Sequence, residues 1–184
     1  VWVGEPKPRF QRGELLLVGE RMRILHVVGR QNNGKTTLIC ELVGELASRG
    51  YRVGTIKHST HDHEFDRPGK DSYRHRQAGA LPAGVISAGQ LAVYLPRSPE
   101  QDPIISLAPI FEACDLVLVE GFIERGGPKI EVWRQEIGKS LLANEHPEII
   151  AVVSDDAPAV RVPVWPRSDL VGLASRILAT LGLG

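Results

Sequence analysis

Short apolar runs alternate with longer amphipathic ones along this chain, and that alternation predicts its elements. Arg23 to Val28 reads as a buried strand rich in Ile, Leu and Val, ending at Gly29. From Lys35, apolar residues recur at helical spacing (Leu38, Ile39, Leu42, Val43, Leu46, Ala47) until Gly50 marks a helix end. Val53 to Ile56 predicts the next strand. A polar stretch from Ser59 to Lys70 then leads to a short helix from Asp71 to Ala78. Val85-Ile86 and Leu91 to Leu95, flanking Ala88-Gly89-Gln90, predict a hairpin. Pro103 to Ala113 reads as a helix with Pro109 as a flaw in it. Leu116 to Val119 is a continuous apolar run, the pattern of a strand buried on both faces. Ile130 to Trp133, Ile149 to Val153 and Val162 to Val164 are further strands, and Ser168 is the expected cap of a closing helix. Strands and helices in this order predict an α/β three-layer fold with a mainly parallel sheet and a β-hairpin insertion.

Composition narrows the class. The 184 residues suffice for one domain with a sizeable core. Lys plus Arg equals Asp plus Glu at 22 each, so no global basic field draws the chain to nucleic acid or membrane. No apolar run approaches the roughly 18 to 20 residues that a membrane span needs. Cys40 and Cys114 stand far apart without metal-ligand spacing, which favours a reducing, cytoplasmic setting. Met22, the only methionine, directly precedes the first strand. Residues 1–21 are therefore expected to be a weakly structured N-terminal extension, and 22–184 the folded domain. The competing expectation is an edge strand from Leu15 to Val18.

The sharpest chemical signal is Gly29-Arg30-Gln31-Asn32-Asn33-Gly34-Lys35-Thr36, which satisfies GxxxxGK[ST] between a strand and a helix. Gly29 and Gly34 permit a backbone that turns successive N–H groups, including those of Asn32 and Asn33, toward phosphate oxygens. The following helix start, with Thr37 in its first turn, adds its positive end. Lys35 is placed to neutralise the β- and γ-phosphates and Thr36 to bind Mg²⁺. Such a site also needs an acid at the end of a neighbouring strand. Asp115 and Glu120 bracket one strand, roughly 16 Å apart at about 3.3 Å per residue. Only the carboxyl end of a parallel sheet faces the loop. Glu120 is thus the expected Mg²⁺ or water-orienting group, and Asp115 belongs to the far edge. Two other strands end on the same edge, delivering Lys57 and His58, and Ser154 and Asp155. A carboxylate at Asp155 can accept both N1–H and N2–H of guanine but would face a lone pair on adenine N1. The base expected is guanine, and the ligand GTP.

Several blocks together resemble the molybdopterin-guanine dinucleotide biosynthesis accessory (adapter) protein B family. They are Gly54 to His58 (GTIKH), Asp66 to Ala80 (DRPGKDSYRHRQAGA), Asp115 to Phe122 (DLVLVEGF), Pro128 to Val132 (PKIEV) and Ser154-Asp155. The resemblance runs from about Met22 to the C-terminus. It implies a GTP-binding protein of the SIMIBI class of P-loop proteins, a homodimer with only weak GTP hydrolysis. Its implied partner is the molybdenum-cofactor guanylyltransferase, which joins GMP to molybdopterin. Asn33, Thr60 and Ile123 depart from the residues the family has most often at those places, a small residue, a third histidine and a lysine. At the place of Arg30, related dimeric ATPases carry a lysine that reaches the other subunit's nucleotide.

At and after the end of the second strand, His58, His61, Asp62, His63 and Asp66 are metal-capable, and Asp66 is expected beside Mg²⁺. Arg67, Lys70, Arg74, His75 and Arg76 form a local cationic patch suited to a molybdopterin phosphate or an acidic partner. Two readings compete with the adapter. A small-molecule kinase would use the same phosphate cradle but needs an arginine-bearing lid. A nickel metallochaperone GTPase would explain the histidines, although no Cys stands beside them.

Overall fold

The computed structural model describes residues 22–61 and 64–184, so the readings made for residues 1–21, Asp62 and His63 lie outside the described residues. Two compact units are present. One comprises the described residues up to Ser59 together with Leu107–Gly184; the other is Thr60–Ser106.

The first unit is built on six strands: β1 (Ile24–Val28), β2 (Val53–Lys57), β5 (Leu116–Glu120), β6 (Lys129–Val132), β7 (Ile149–Val153) and β8 (Val164–Trp165). They lie side by side in the order β2-β5-β1-β6-β7-β8, and every neighbouring pair is parallel. β1 is buried along its whole length, as an inner parallel strand must be. Its alternate residues Leu25 and Val27 enter the main core with Leu118, Ile130, Leu38 and Ile177. Two helices cap that core, α1 (Lys35–Ser48) and α4 (Leu170–Thr180). Val28, on the other face, joins Leu142 and Ile149 in a smaller cluster. Gly54 of β2 is required by packing, since a Cβ there would lie 2.5 Å from the Phe111 ring.

Most element bounds shift by one or two residues from the sequence reading, and two differences have a physical reason. The last strand is Val164–Trp165, not Val162 to Val164, because its pairing starts opposite Val152. The cap of α4 is Asp169, whose carboxylate accepts from Gly172 N at 2.9 Å, while Ser168 serves a different purpose.

The second unit holds α2 (Asp71–Gln77) and the antiparallel hairpin β3 (Ala83–Ile86) and β4 (Leu91–Tyr94). α3 (Pro103–Phe111) leads the chain out of it, with Pro109 in its last turn. Asp66 is buried there. Its Oδ1 accepts from Ser72 Oγ and Arg67 N, both at 2.9 Å, and its Oδ2 lies 3.6 Å from Arg76 Nη1. Arg76 also pairs with Glu64 at 2.8 Å and lies over the Tyr94 ring. Ile86, Leu91 and Val93 of the hairpin are exposed.

Candidate nucleotide site

All six strands of the parallel sheet end on one edge, and β1 lies where the chain's path across the sheet changes direction, the place where such sheets bind ligands. Gly29 leaves β1 at φ 141°, and a Cβ on it would sit 2.4 Å from the Val132 carbonyl oxygen. Only glycine fits against the end of β6 there. Asn32 takes a left-handed φ of 69°, which asparagine tolerates better than most residues. Gly34 begins α1 at φ 86° with no side-chain cap. The first-turn N–H groups of α1 are thus left for an anion to satisfy, as a phosphate site requires.

Several of the candidate side chains lie together beside the loop. Thr36 Oγ1 lies 3.0 Å from each oxygen of Glu120, and Lys57 Nζ lies 3.5 Å from Glu120 Oε1. Lys35 Nζ donates to Arg30 O at 3.0 Å, folded over the loop. Burial holds the Lys35 ammonium below its ordinary pKa, Glu120 pulls it back up, and Lys57 lowers it further. Asp115 occupies the opposite edge, as expected. Its carboxylate accepts from Arg52 N at 2.7 Å, and this backbone bond, with the Arg52 side chain, holds the carboxyl below its ordinary range. His58 stacks on the Phe122 ring, centroids 4.0 Å apart and 7° from parallel. Phe122 reaches that position through a left-handed φ of 61°.

Thr36 and Glu120 offer oxygen donors of the kind a phosphate-bound Mg²⁺ takes, Lys35 and Lys57 offer positive charge for the phosphates, and the uncapped loop has the shape for them. The chain fits both groups. Asp66, the other expected Mg²⁺ neighbour, belongs to the second unit and is engaged there by Ser72 and Arg76. Among the described residues, no group of three or more His, Cys, Asp or Glu side chains is placed to hold a metal ion.

Beside the loop, a cavity of about 520 Å³ is lined by Gly34, Thr37, Trp133, Asp155 and Arg167 among others. Its size falls in the range of small-ligand sites. Asp155 Oδ1 accepts two bonds from Ser168, from N and from Oγ, each 2.8 Å. These bonds hold its carboxyl below the ordinary range. Asp155 thus lines the cavity with one oxygen already engaged.

Several contacts around the loop were not foreseen from the sequence. Asn33 is buried and fastens the loop to the segment after β6: its Oδ1 accepts from Arg134 N at 3.0 Å. A small residue at that position could not make this bond. Arg167 pairs with Glu41 of α1 at 2.6 Å, and nothing in the spacing of either residue announces it. Arg30 is held within its own chain, 3.3 Å from Ser140 Oγ and 3.5 Å from Glu145. Lys129 and Glu131 in the PKIEV block are buried supports. Lys129 Nζ donates to the Arg125 and Gly127 carbonyls, and Glu131 accepts from Leu142 N and Ala143 N.

Comparison with known proteins now adds to this geometry. Residues 24–155 match the family model described as molybdopterin guanine dinucleotide synthesis protein B (MobB). The chain is 34% identical over 152 residues to the molybdopterin-guanine dinucleotide biosynthesis adapter protein of Escherichia coli (strain K12), covering 79% of this chain and 85% of that one. It is 35% identical over 147 residues to the adapter protein of Haemophilus influenzae, covering 79% and 81%. Among solved structures, a molybdopterin-guanine biosynthesis protein B superposes with a TM-score of 0.67 at 29% identity, over 86% of this chain and 99% of that one. The MobB homologue from Bacillus stearothermophilus gives 0.62 at 26% identity, over 89% and 100%.

Proposed function

Since the chain belongs to the molybdopterin guanine dinucleotide synthesis protein B family, we propose that it is an adapter in molybdenum-cofactor biosynthesis that binds GTP with Mg²⁺ and assists the guanylyltransferase. The observation that carries this reading is the convergence of Lys35, Thr36, Lys57 and Glu120 on the uncapped start of α1. The backbone N–H groups from Asn32 to Thr37 hold phosphate oxygens, and Lys35 neutralises the β- and γ-phosphates. Thr36 and Glu120 would hold Mg²⁺, which when bound spreads the negative charge of the phosphates. Asp155 accepts from the guanine edge. Glu120 orients a water toward the γ-phosphate for weak hydrolysis, so the site serves binding and handover more than turnover.

A homodimer is part of the proposal, supported by the exposed Ile86, Leu91 and Val93 of the hairpin. A cytoplasmic setting is consistent with this role, and among the described residues no helix is long and apolar enough to cross a membrane. The cationic α2 segment (Arg67, Lys70, Arg74, His75) is the surface for an acidic partner or a molybdopterin phosphate.

The test is a reconstituted guanylyltransferase reaction at limiting GTP. Adding the wild-type chain is expected to raise dinucleotide formation, and Lys35→Ala is expected to remove that increase without touching the basal rate. Transfer of γ-phosphate from nucleotide to a small acceptor by this chain alone would instead identify a kinase.

A further inference from the structure

The cavity beside the phosphate loop carries acceptor chemistry on Asp155 and donor chemistry on Arg167. We infer that Arg167 is a second specificity-determining residue of the nucleotide site, its guanidinium donating to O6 and N7 of guanine while Asp155, through the Oδ2 that Ser168 leaves, accepts from the N1–H and N2–H edge. This inference rests on the reading of the site as a GTP site.

Arg167 is built into the site. Its Nη2 lies 2.6 Å from Glu41 Oε2, and its side chain is only 25% exposed. Glu41 stands on α1, the helix that starts at the phosphate loop, so the guanidinium is anchored to the same rigid element as the loop. A guanidinium has five donors in a fixed fork, and Glu41 leaves several of them for a ligand. The next residue, Ser168, fixes Asp155 through two bonds to Oδ1. One short turn therefore orients both groups. The Arg167 backbone N–H and guanidinium also help to keep the Asp155 carboxyl ionised, which is the state a guanine reader needs.

The pairing matches guanine and no other common base. Guanine offers acceptors at O6 and N7 beside donors at N1 and N2, whereas adenine carries an amino donor at position 6. An arginine there would meet donor with donor, so it rejects adenine at a place the carboxylate does not touch. Arg134, the other arginine on the cavity, is a weaker candidate. Among the described residues its side chain pairs with Glu136 two residues on, and both side chains are more than half exposed.

Isothermal titration with GTP, 6-thio-GTP, 7-deaza-GTP, ITP and ATP tests the assignment. The 6-thio analogue weakens the acceptor at position 6, the 7-deaza analogue removes N7, and ITP lacks only the 2-amino group. Wild type is expected to prefer GTP over the first two about fivefold each. Arg167→Ala is expected to bind GTP about tenfold more weakly and to lose both preferences, while its GTP-to-ITP ratio stays at the wild-type value. Arg167→Lys, which keeps the charge but not the fork, is expected to lose the same preferences, and Glu41→Gln to reduce them about threefold. Thermal unfolding checks that each variant is folded. Should wild type bind GTP and ATP equally, the GTP reading itself fails. If wild type prefers GTP but Arg167→Ala and Arg167→Lys keep the analogue preferences, only the assignment of Arg167 is overturned.

Discussion

The two halves of the proposed nucleotide site, one for the phosphates and one for the base, are built in different ways. Around the phosphate loop the work is done by backbone: Gly29 and Gly34 take positive φ, and α1 starts without a side-chain cap. The base half is made of side chains drawn from separate segments, with Asp155 after β7, Ser168 and Arg167 before α4, and Glu41 on α1. A backbone cradle depends on a few contiguous residues and cares little which base follows. A side-chain pocket depends on the whole fold and can select. Affinity should therefore reside mostly in the first half and selectivity in the second.

Gly29→Ala attacks the cradle most severely, because its Cβ would meet the Val132 carbonyl at 2.4 Å. Thermal unfolding should show a loss of about 3 kcal/mol, and binding of every nucleotide should vanish. Lys35→Ala should weaken GTP and ATP alike by about 100-fold while leaving stability equal or slightly higher, since burial already disfavours the charged ammonium. The same depressed pKa fixes a pH dependence. The bound phosphates need the charged form, so triphosphate affinity should fall as pH rises through the Lys35 pKa, at a lower pH than for an ordinary lysine. Above that pKa the folded chain holds fewer protons than the unfolded one, so stability should rise with pH up to the ordinary value near 10.5.

Base-half substitutions should look different. Asp155→Asn is expected to cut the GTP-to-ATP affinity ratio about tenfold, mostly by weakening GTP. A uniform loss for both nucleotides would break the division of labour. The smallest effect is expected from Ser168→Ala, which removes one of the two bonds to Asp155 Oδ1 and should cost under about 1 kcal/mol. Because those bonds depress the folded pKa of Asp155, their contribution is present above its ordinary value and lost as pH falls through the folded one. Denaturant titrations should thus show the deficit at neutral pH and not in strong acid.

The same division explains what could be read from sequence. The cradle was legible because its geometry is enforced by glycines at fixed spacing next to a strand and a helix. Glu120 followed from the rule that only strand carboxyl ends face the loop, and its approach to Thr36 and Lys57 agrees with that rule. Asp155 was identifiable as a candidate because it ends a strand on the same edge. Arg167 was not, since it sits in a turn between short elements and its partner Glu41 is 126 positions away. Ser168 shows the limit well. A serine before an apolar helix invites a capping role, but Asp169 takes the cap and Ser168 turns to Asp155 instead. Local propensity cannot choose between two polar neighbours when tertiary contacts decide. The smaller unit was legible in outline, with hairpin and short helix where expected, but the clustering of Asp66, Ser72 and Arg76 was not.

The central claim, a guanine-selective triphosphate site on this loop, is tested most directly by titrating the wild-type chain with GTP and with ATP in the presence of Mg²⁺. Binding of GTP at least about tenfold tighter than ATP is the predicted result. Equal affinity for the two nucleotides, or no binding of either, would contradict it.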